Sequence, residues 1–461
     1  MSKKINFVKL LLILILILAA ILRFYKLPEY LQFLGDQGRD LLIVKAMIVD
    51  HKFTLLGPTA SVGGFYTGPV YYYFMLPFLA LWQLDPVGPA VMSALFGLAT
   101  IILVYFFVKD IADKKAGVLA ALLTAFSPKM IDLSRFSWNP NPIPFFSLAA
   151  VYSLYKRKVF LAGLFVGILV QLHYINLVMI PVIGLMTKIK DWWKLFIGFF
   201  AGLSLFLIFE LRHGFPNSQS VMEFIFRGGQ TVAPRTFNFP ELFIEIYRRT
   251  FENVFQTSDN LIFNIVIYLA LFIFLWQRKW PLIVWLILGC LGLGFYRGTL
   301  YEHYFNFLYI LPFIILGIVL TRRWFLIPIA VFFLYLSVIK WYIWSPPNNQ
   351  IGQTKNVDKV VMDMLGGEDF NFALITPGNS DHAYRYFLEL NGKKAKVIYN
   401  PDIDPERKSV ASQLIVVCEG PCAPLGSPLW EVAGFGRAEI ADSKQVPVGI
   451  TVYKLVHYKG G

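Results

Sequence analysis

Lys114-Lys115, then AGVLAALLTAFSPKMIDL (116–133), SRFSWNPN (134–141), PIPFFSLAAVYSLY (142–155) and Lys156-Arg157-Lys158: two basic ends enclose two apolar runs, and a polar patch divides them. A run of about 20 apolar residues crosses roughly 30 Å of hydrocarbon as a helix. Lys and Arg collect on the cytoplasmic side of such runs. The stretch therefore reads as a helical hairpin. Its ends lie in the cytoplasm and its middle, with Arg135, Asn139 and Asn141, faces outward.

The same pattern extends along most of the 461 residues. Basic clusters recur at Lys3/Lys4, Lys109/Lys114/Lys115, Lys156/Arg157/Lys158, Lys188/Lys190/Lys194, Arg278/Lys279 and Arg322/Arg323. They predict spans near Leu10–Arg23, Val87–Val108, Ala116–Leu133, Pro142–Tyr155, Val159–Leu172, Ile175–Thr187 and Leu195–Leu211. Further spans follow near Leu261–Trp276, Pro281–Phe295, Tyr304–Leu320 and Trp324–Trp344. The fold class is thus an α-helical polytopic membrane protein of about eleven transmembrane helices, with a small C-terminal soluble α/β domain. The N-terminus is placed in the cytoplasm and the C-terminus outside, in the plasma or inner membrane. Residues 1–345 form the membrane domain, with a first outer loop over 25–86 and a large outer loop over 212–260. Residues 346–461 form the outer domain. The apolar Gly68–Leu84 segment would invert every later cluster if it crossed. It is read as a helix at the membrane surface, its Tyr71-Tyr72-Tyr73 run suited to the headgroup zone.

Composition agrees with this topology. Hydrophobic residues make up 57% and charged residues 15%, against roughly 45–50% and about 25% in soluble domains. The net charge of +13 lies in short clusters between apolar runs, so the lipid bilayer is the expected partner and nucleic acid is not. Pro346-Pro347-Asn348-Asn349 ends the last span and opens the tail. Strand-like runs (Phe372–Thr376, Val397–Tyr399, Leu414–Cys418) there alternate with helical stretches around Val357–Leu365 and Ala383–Asn391. Cys418 and Cys422 would close a tight disulfide in an oxidising compartment, while Cys290 sits in an apolar run as packing.

The cytoplasmic loops are short and basic, so chemistry belongs on the outer face. There the sequence gathers Asp36, Arg39 and Asp40; Arg135 and Asn139; Gln171, His173 and Asn176; Glu210, Arg212 and His213; and Arg297 with Tyr301, Glu302, His303 and Tyr304. All six histidines fall on this side. Ionisable groups around one face of a membrane protein are candidate site residues. The first loop, LGDQGRD (34–40), is the sharpest signal. Asp36 opens an apolar helix, where it serves as an N-cap or as a proton acceptor. Its two glycines permit close backbone approach to a ligand. The Gly-rich stretch leading through Tyr66 to Pro69 suits a sugar or prenyl chain.

On these residues the chain resembles the C-type glycosyltransferases (the GT-C superfamily), which include protein O-mannosyltransferases and the transferases that move aminoarabinose to lipid A. The resemblance rests on Asp36 in a long first outer loop and on the Gly68-Pro69-Val70-Tyr71-Tyr72-Tyr73 surface helix. Ser127-Pro128 before Ser134-Arg135, and His303-Tyr304 leading to Leu311-Pro312, strengthen it. It covers roughly the first 345 residues. It implies inverting transfer of a sugar from a polyprenyl-phosphate donor to a protein, lipid or glycan acceptor, with Asp36 as catalytic base. Arg39, Arg135 and Arg297 would then neutralise the leaving phosphate; His173, Glu210 and His303 would bind the sugar or orient Asp36, and Tyr304 would bind the donor. Asp40, Asn139 and Tyr66 would support them. Many relatives carry a second acidic residue where this chain reads Trp138-Asn139-Pro140-Asn141. Asp36 is the one ligand to offer a divalent metal, and an amide is a poorer ligand than a carboxylate. Two other classes fit parts of the sequence. A polymerase or ligase of polyprenyl-linked glycans would use Arg227, Arg235, Arg248 and Arg249 in the large outer loop. A lipid-linked glycan transporter would need binding groups on both faces.

Overall fold

The computed structural model describes residues 7–60, 64–227, 238–258, 260–296, 298–321, 324–458 and 460. Its principal helices in chain order are α1 (Phe7–Phe24), α2 (Gly35–Val49), α3 (Val70–Leu81), α4 (Val87–Ile111), α5 (Lys114–Phe126), α6 (Ile143–Tyr155) and α7 (Val159–Leu172). Next come α8 (Met179–Met186), α9 (Trp192–Gly202), α10 (Ser204–His213), α11 (Pro216–Arg227), α12 (Phe239–Phe255), α13 (Leu261–Trp276) and α14 (Trp280–Phe295). The series ends with α15 (Leu311–Leu320), α16 (Ile327–Val338), α17 (Gln350–Leu365), α18 (His382–Leu390) and α19 (Trp430–Phe435). Contacts divide the chain into two units: Met1–Leu27 with His51–Pro346, and Pro28–Asp50 with Pro347–Gly461.

Local chemistry sets many helix limits in the first unit. Asp113 caps α5 by accepting from Lys115 and Ala116 N–H, and Asn260 caps α13 through Ile262 and Phe263 N–H. These side chains satisfy donors that the first helical turn leaves unpaired. Prolines 281, 312 and 328 stand in the first turns of α14, α15 and α16, where a missing N–H costs nothing. Gly214 ends α10 in the left-handed region, at φ 75°, as a C-terminal glycine does without a Cβ penalty.

Every expected span contains an apolar helix, but helix length does not confirm a count of eleven crossings. Among the described residues, α1 and α4 are long and apolar enough to cross a membrane. A third qualifies if α9 and α10, bent by 76°, form one broken span. Eight other apolar helices run 10–17 residues. The expected Tyr304–Leu320 span shortens to α15, because a 3-10 turn over Glu302–Phe305 and further turns occupy its first half. The segment expected as a surface helix is helical over α3, but Tyr71 and Tyr72, expected to meet headgroups, are fully buried.

One seam was absent from the sequence reading. Gly163 and Gly167 of α7 lie against Gly198 and Gly202 of α9, and each glycine's missing Cβ would collide with the opposite backbone. These two G-x-x-x-G faces bring main chains into direct contact, as small residues do at helix crossings.

The second unit holds a four-stranded sheet of order β1-β2-β4-β3: β1 (Phe370–Ile375), β2 (Gln413–Glu419), β3 (Ala438–Val446) and β4 (Ile450–His457). β1 and β2 are parallel, with Phe372 opposite Ile415, and the other pairs are antiparallel. Val357, Val361, Phe372, Ile415 and Val452 fill one face, and Leu414, Val416, Phe435 and Leu455 the other. The expected strand at Val397–Tyr399 does not form. Its flanking carbonyls are taken by side chains, Lys396 O by Asn371 Nδ2 at 3.0 Å and Ile398 O by Trp430 Nε1 at 2.9 Å, so only a single bridge from Lys396 to Asn371 remains. Cys418 and Cys422 are disulfide-bonded.

Candidate functional site

In the first unit, three loops at helix ends meet around two imidazoles. The loop after α5 supplies Trp138, the link from α7 to α8 supplies His173, and the turn before α15 supplies Tyr301, His303 and Tyr304. Ring centroids lie 4.8 Å apart for Trp138 and His303, 5.3 Å for His173 and His303, and 5.1 Å for His173 and Tyr304. Tyr301 stacks on His303 at 5.9 Å. Buried asparagines hold the loops. Asn139 Nδ2 donates to Leu172 O at 2.7 Å, Asn306 Nδ2 to Pro140 O at 2.8 Å, and Asn176 Nδ2 to Leu169 O at 2.9 Å. Each bond ties a buried side-chain amide to a main-chain carbonyl, and Pro140 O and Leu169 O accept a backbone N–H as well, from Ile143 and His173. Asn306 escaped the sequence reading because it lies within an expected span.

His173 is held neutral. Burial, with His303 beside it, pulls its pKa down to about 3, since a desolvated cation is costly and a second imidazole repels it. Its Nδ1 accepts from Ile175 N–H at 3.2 Å, which assigns the proton to Nε2. The ring is therefore a hydrogen-bond donor across the physiological range.

Other expected site residues serve the scaffold. Arg135 is 4% exposed. Its Nη1 donates to Leu22 O and Arg23 O at 3.0 Å, its Nη2 to Tyr25 O at 3.0 Å, and its plane lies 3.7 Å over the Tyr342 ring. The guanidinium thus closes the C-terminus of α1, where carbonyls lack helical partners. Glu210, 1% exposed, accepts from Asn217 Nδ2 at 2.9 Å and Ser218 N at 2.8 Å. Asn217 Oδ1 in turn accepts from Tyr66 N at 2.8 Å. Glu210 therefore braces the Gly-rich loop through Asn217. Gln171 ties α3 to the glycine seam, accepting from Val70 N at 3.3 Å and donating to Gly202 O. In the large outer loop, Arg248 pairs with Glu252, and Arg249 pairs with Glu245 and donates to Leu300 O. Arg297 and Arg235 lie outside the described residues, as does the side chain of Arg227.

The second unit carries the first-loop motif on the opening turn of α2. Asp40 is 1% exposed and takes Arg39 Nε at 2.9 Å and Nη2 at 2.8 Å. That fork fixes the guanidinium, whose Nη1 then holds Asp36 Oδ1 at 2.9 Å. The Asp36 side chain is 50% exposed. Buried Asp40 thus aims an arginine, and the arginine aims an accessible carboxylate. The glycines of the motif have a different use from the one expected. A Cβ on Gly35 would strike Ser380, and one on Gly38 the backbone of His382 and Ala383. They let α2 lie main chain to main chain against the start of α18. Gly35 N also donates to Asn379 Oδ1 at 2.9 Å.

Metal is poorly served by these residues. Asp36 is bound to Arg39. Among the described residues, no group of three or more His, Cys, Asp or Glu could hold a metal ion.

Residues 82–206 match the family model of dolichyl-phosphate-mannose-protein mannosyltransferases. In structure, the chain is similar to ArnT from Cupriavidus metallidurans bound to undecaprenyl phosphate, at 12% identity over 96% of this chain and 97% of that one, with a TM-score of 0.63. The same protein in its apo state aligns at 13% identity over the same shares, with a TM-score of 0.55. No curated protein matches by sequence. The likeness is one of fold, shared over nearly the full length of both chains.

Proposed function

From a chain with the C-type glycosyltransferase fold, we propose an enzyme that moves a sugar from a polyprenyl-phosphate donor to an acceptor hydroxyl at the outer face of the membrane, with inversion at C1. The observation that carries this reading is the first turn of α2: a half-exposed Asp36, held by an arginine that a buried Asp40 locks in place. The undecaprenyl phosphate bound by the similar ArnT and the mannosyltransferase match over 82–206 support the donor class.

In this mechanism Asp36 accepts the proton of the acceptor hydroxyl as its oxygen attacks C1. The bond from C1 to the phosphate oxygen breaks, and polyprenyl monophosphate leaves with the electron pair. A carboxylate is a competent base because the proton moves as the bond forms. Within the first unit, the cluster of Trp138, Tyr301 and His303 is a separate candidate for holding a sugar ring, with His173 and Tyr304 fixing its positions. Neutral His173 donates through Nε2. The charge on the leaving phosphate calls for a cation. Arg135 would have to abandon the end of α1 to provide one, and Arg39 shares its charge with two carboxylates, so Arg297 becomes the first candidate. No step is assigned to a metal.

The test is transfer by the full-length protein in lipid nanodiscs from a polyprenyl-phosphate sugar, comparing wild type with Asp36→Asn. Loss of a general base costs about 10²–10⁴-fold in rate. Full transfer by an inserted, folded Asp36→Asn protein removes the assignment. Release of polyprenyl diphosphate instead of monophosphate would favour the polymerase class.

A further inference from the structure

The second unit contains a cleft of about 340 Å³ that the transfer mechanism does not use. Phe33, Gln353, Asn379, Tyr384, Glu419 and Val448 line it. It opens where the parallel strands β1 and β2 end, the edge at which open α/β sheets hold ligands. Glu419 closes β2 and sits at this edge. Its Oε1 accepts from Tyr384 Oη at 2.7 Å and Asn379 Nδ2 at 3.3 Å, and its Oε2 accepts from Thr376 Oγ1 at 2.7 Å. These partners are all neutral, so hydrogen bonds alone orient the carboxylate. Burial and the adjoining carboxylate raise the Tyr384 pKa, which keeps its hydroxyl a donor.

Two further features shape the cleft. The Cys418–Cys422 disulfide closes the loop that carries Glu419, and Gly420 within that loop has φ 110°, a conformation that favours glycine. Across the cleft, Val448 is held at φ 74° and is 73% exposed. A β-branched residue in the left-handed region is strained, and such strain is concentrated at functional sites. The ring of Phe33 is fixed by edge contacts to Phe387 and Tyr386, at 5.5 Å and 6.4 Å.

We propose that this cleft binds a saccharide, serving as a docking subsite for a hydroxyl-rich acceptor. The carboxylate and the amides of Asn379 and Gln353 match the donors and acceptors of neighbouring hydroxyls, and exposed Val448 supplies an apolar edge. The volume lies at the lower end of the small-ligand range of about 300–1,000 Å³, which fits one or two sugar rings. A single carboxylate is too poor a donor set for a divalent cation. The word "acceptor" rests on the glycosyltransferase reading; saccharide binding does not.

The experiment titrates methyl glycosides of pentoses and hexoses into full-length protein in nanodiscs, followed by saturation-transfer NMR and calorimetry. Saturable binding of at least one glycoside is expected, weakened about tenfold or more by Glu419→Gln. Gln353→Ala, at the rim, should weaken the same glycoside by several-fold with an unchanged unfolding midpoint, which guards against misfolding of the carboxylate variant. No binding by wild type, or equal binding by both variants, overturns the subsite. Transfer activity is assayed separately with Asp36→Asn. Binding without transfer would leave the cleft standing and remove the enzyme reading, and transfer without saccharide binding would do the reverse.

Discussion

Gly38→Ala tests whether the acidic first turn of α2 depends on its bed in the C-terminal unit. A Cβ at residue 38 would stand 2.5 Å from Ala383 Cα, with Ala383 N and His382 C nearer still. All three are backbone atoms, so no side chain can swing away. Restoring the 3.4 Å of ordinary contact needs a retreat of about 1.1 Å, the shortfall of the nearest contact, 2.3 Å to Ala383 N. Overpacking of this kind costs about 1–3 kcal/mol. The helix that must retreat carries Asp36 two residues away, and a displacement of ~1 Å at a reacting group costs about 10²-fold in rate. Gly367→Ala is the control, since nothing lies within 4 Å of its added methyl; it should stay within about 0.5 kcal/mol. The assay pairs thermal unfolding in detergent with transfer rate under saturating donor. If Gly38→Ala matched the control in both, direct contact between α2 and α18 would be refuted.

Further outcomes follow from the same geometry. Arg135→Lys should lower stability by about 2 kcal/mol, because a point charge cannot serve several carbonyls and a ring face as a planar fork does; chemical unfolding in detergent measures this. His173 titrates near 3 when folded and near 6.5 when unfolded. Between those values the unfolded chain binds the extra proton, so stability is full above about pH 6.5 and falls as pH drops toward 3. His173→Asn should flatten unfolding midpoints plotted from pH 4 to 7, and an unchanged slope would show that another group sets it. Gln171→Ala should loosen the N-terminus of α3, read as faster hydrogen exchange at Val70 and Tyr71 with the centre of α4 unaffected.

Apolar runs bounded by polar residues were readable because hydrophobicity is local. Val159–Leu172 matches α7 at both ends, since Lys158 and His173 flank it. The Tyr304–Leu320 run looked equally apolar, yet its first half is turns, pinned by Asn306 reaching Pro140 O. Hydropathy has no knowledge of such a partner. The 76° bend between α9 and α10 was equally invisible, because no proline marks it. At the candidate site, residue type and outward placement were legible, but roles were not. Arg135 and Glu210 look like ligand-binding charges until the carbonyls and N–H groups they satisfy come into view. The glycines at 35 and 38 did announce a close approach. What approaches is a helix encoded more than three hundred residues downstream. Glu419 gave no signal at all, because its importance comes from standing at a sheet edge that exists only after folding.

The contact between α7 and α9 has a mechanical consequence. Side chains between packed helices can change rotamer and cushion a disturbance, but the four glycines at 163, 167, 198 and 202 leave no such cushion. The pair must tilt or slide as a single splint. The two helices run parallel, so His173, the hitch to α3 through Gln171 and the turn into α10 all lie at the same end of that splint. A push on any of these would be felt by the others almost undamped.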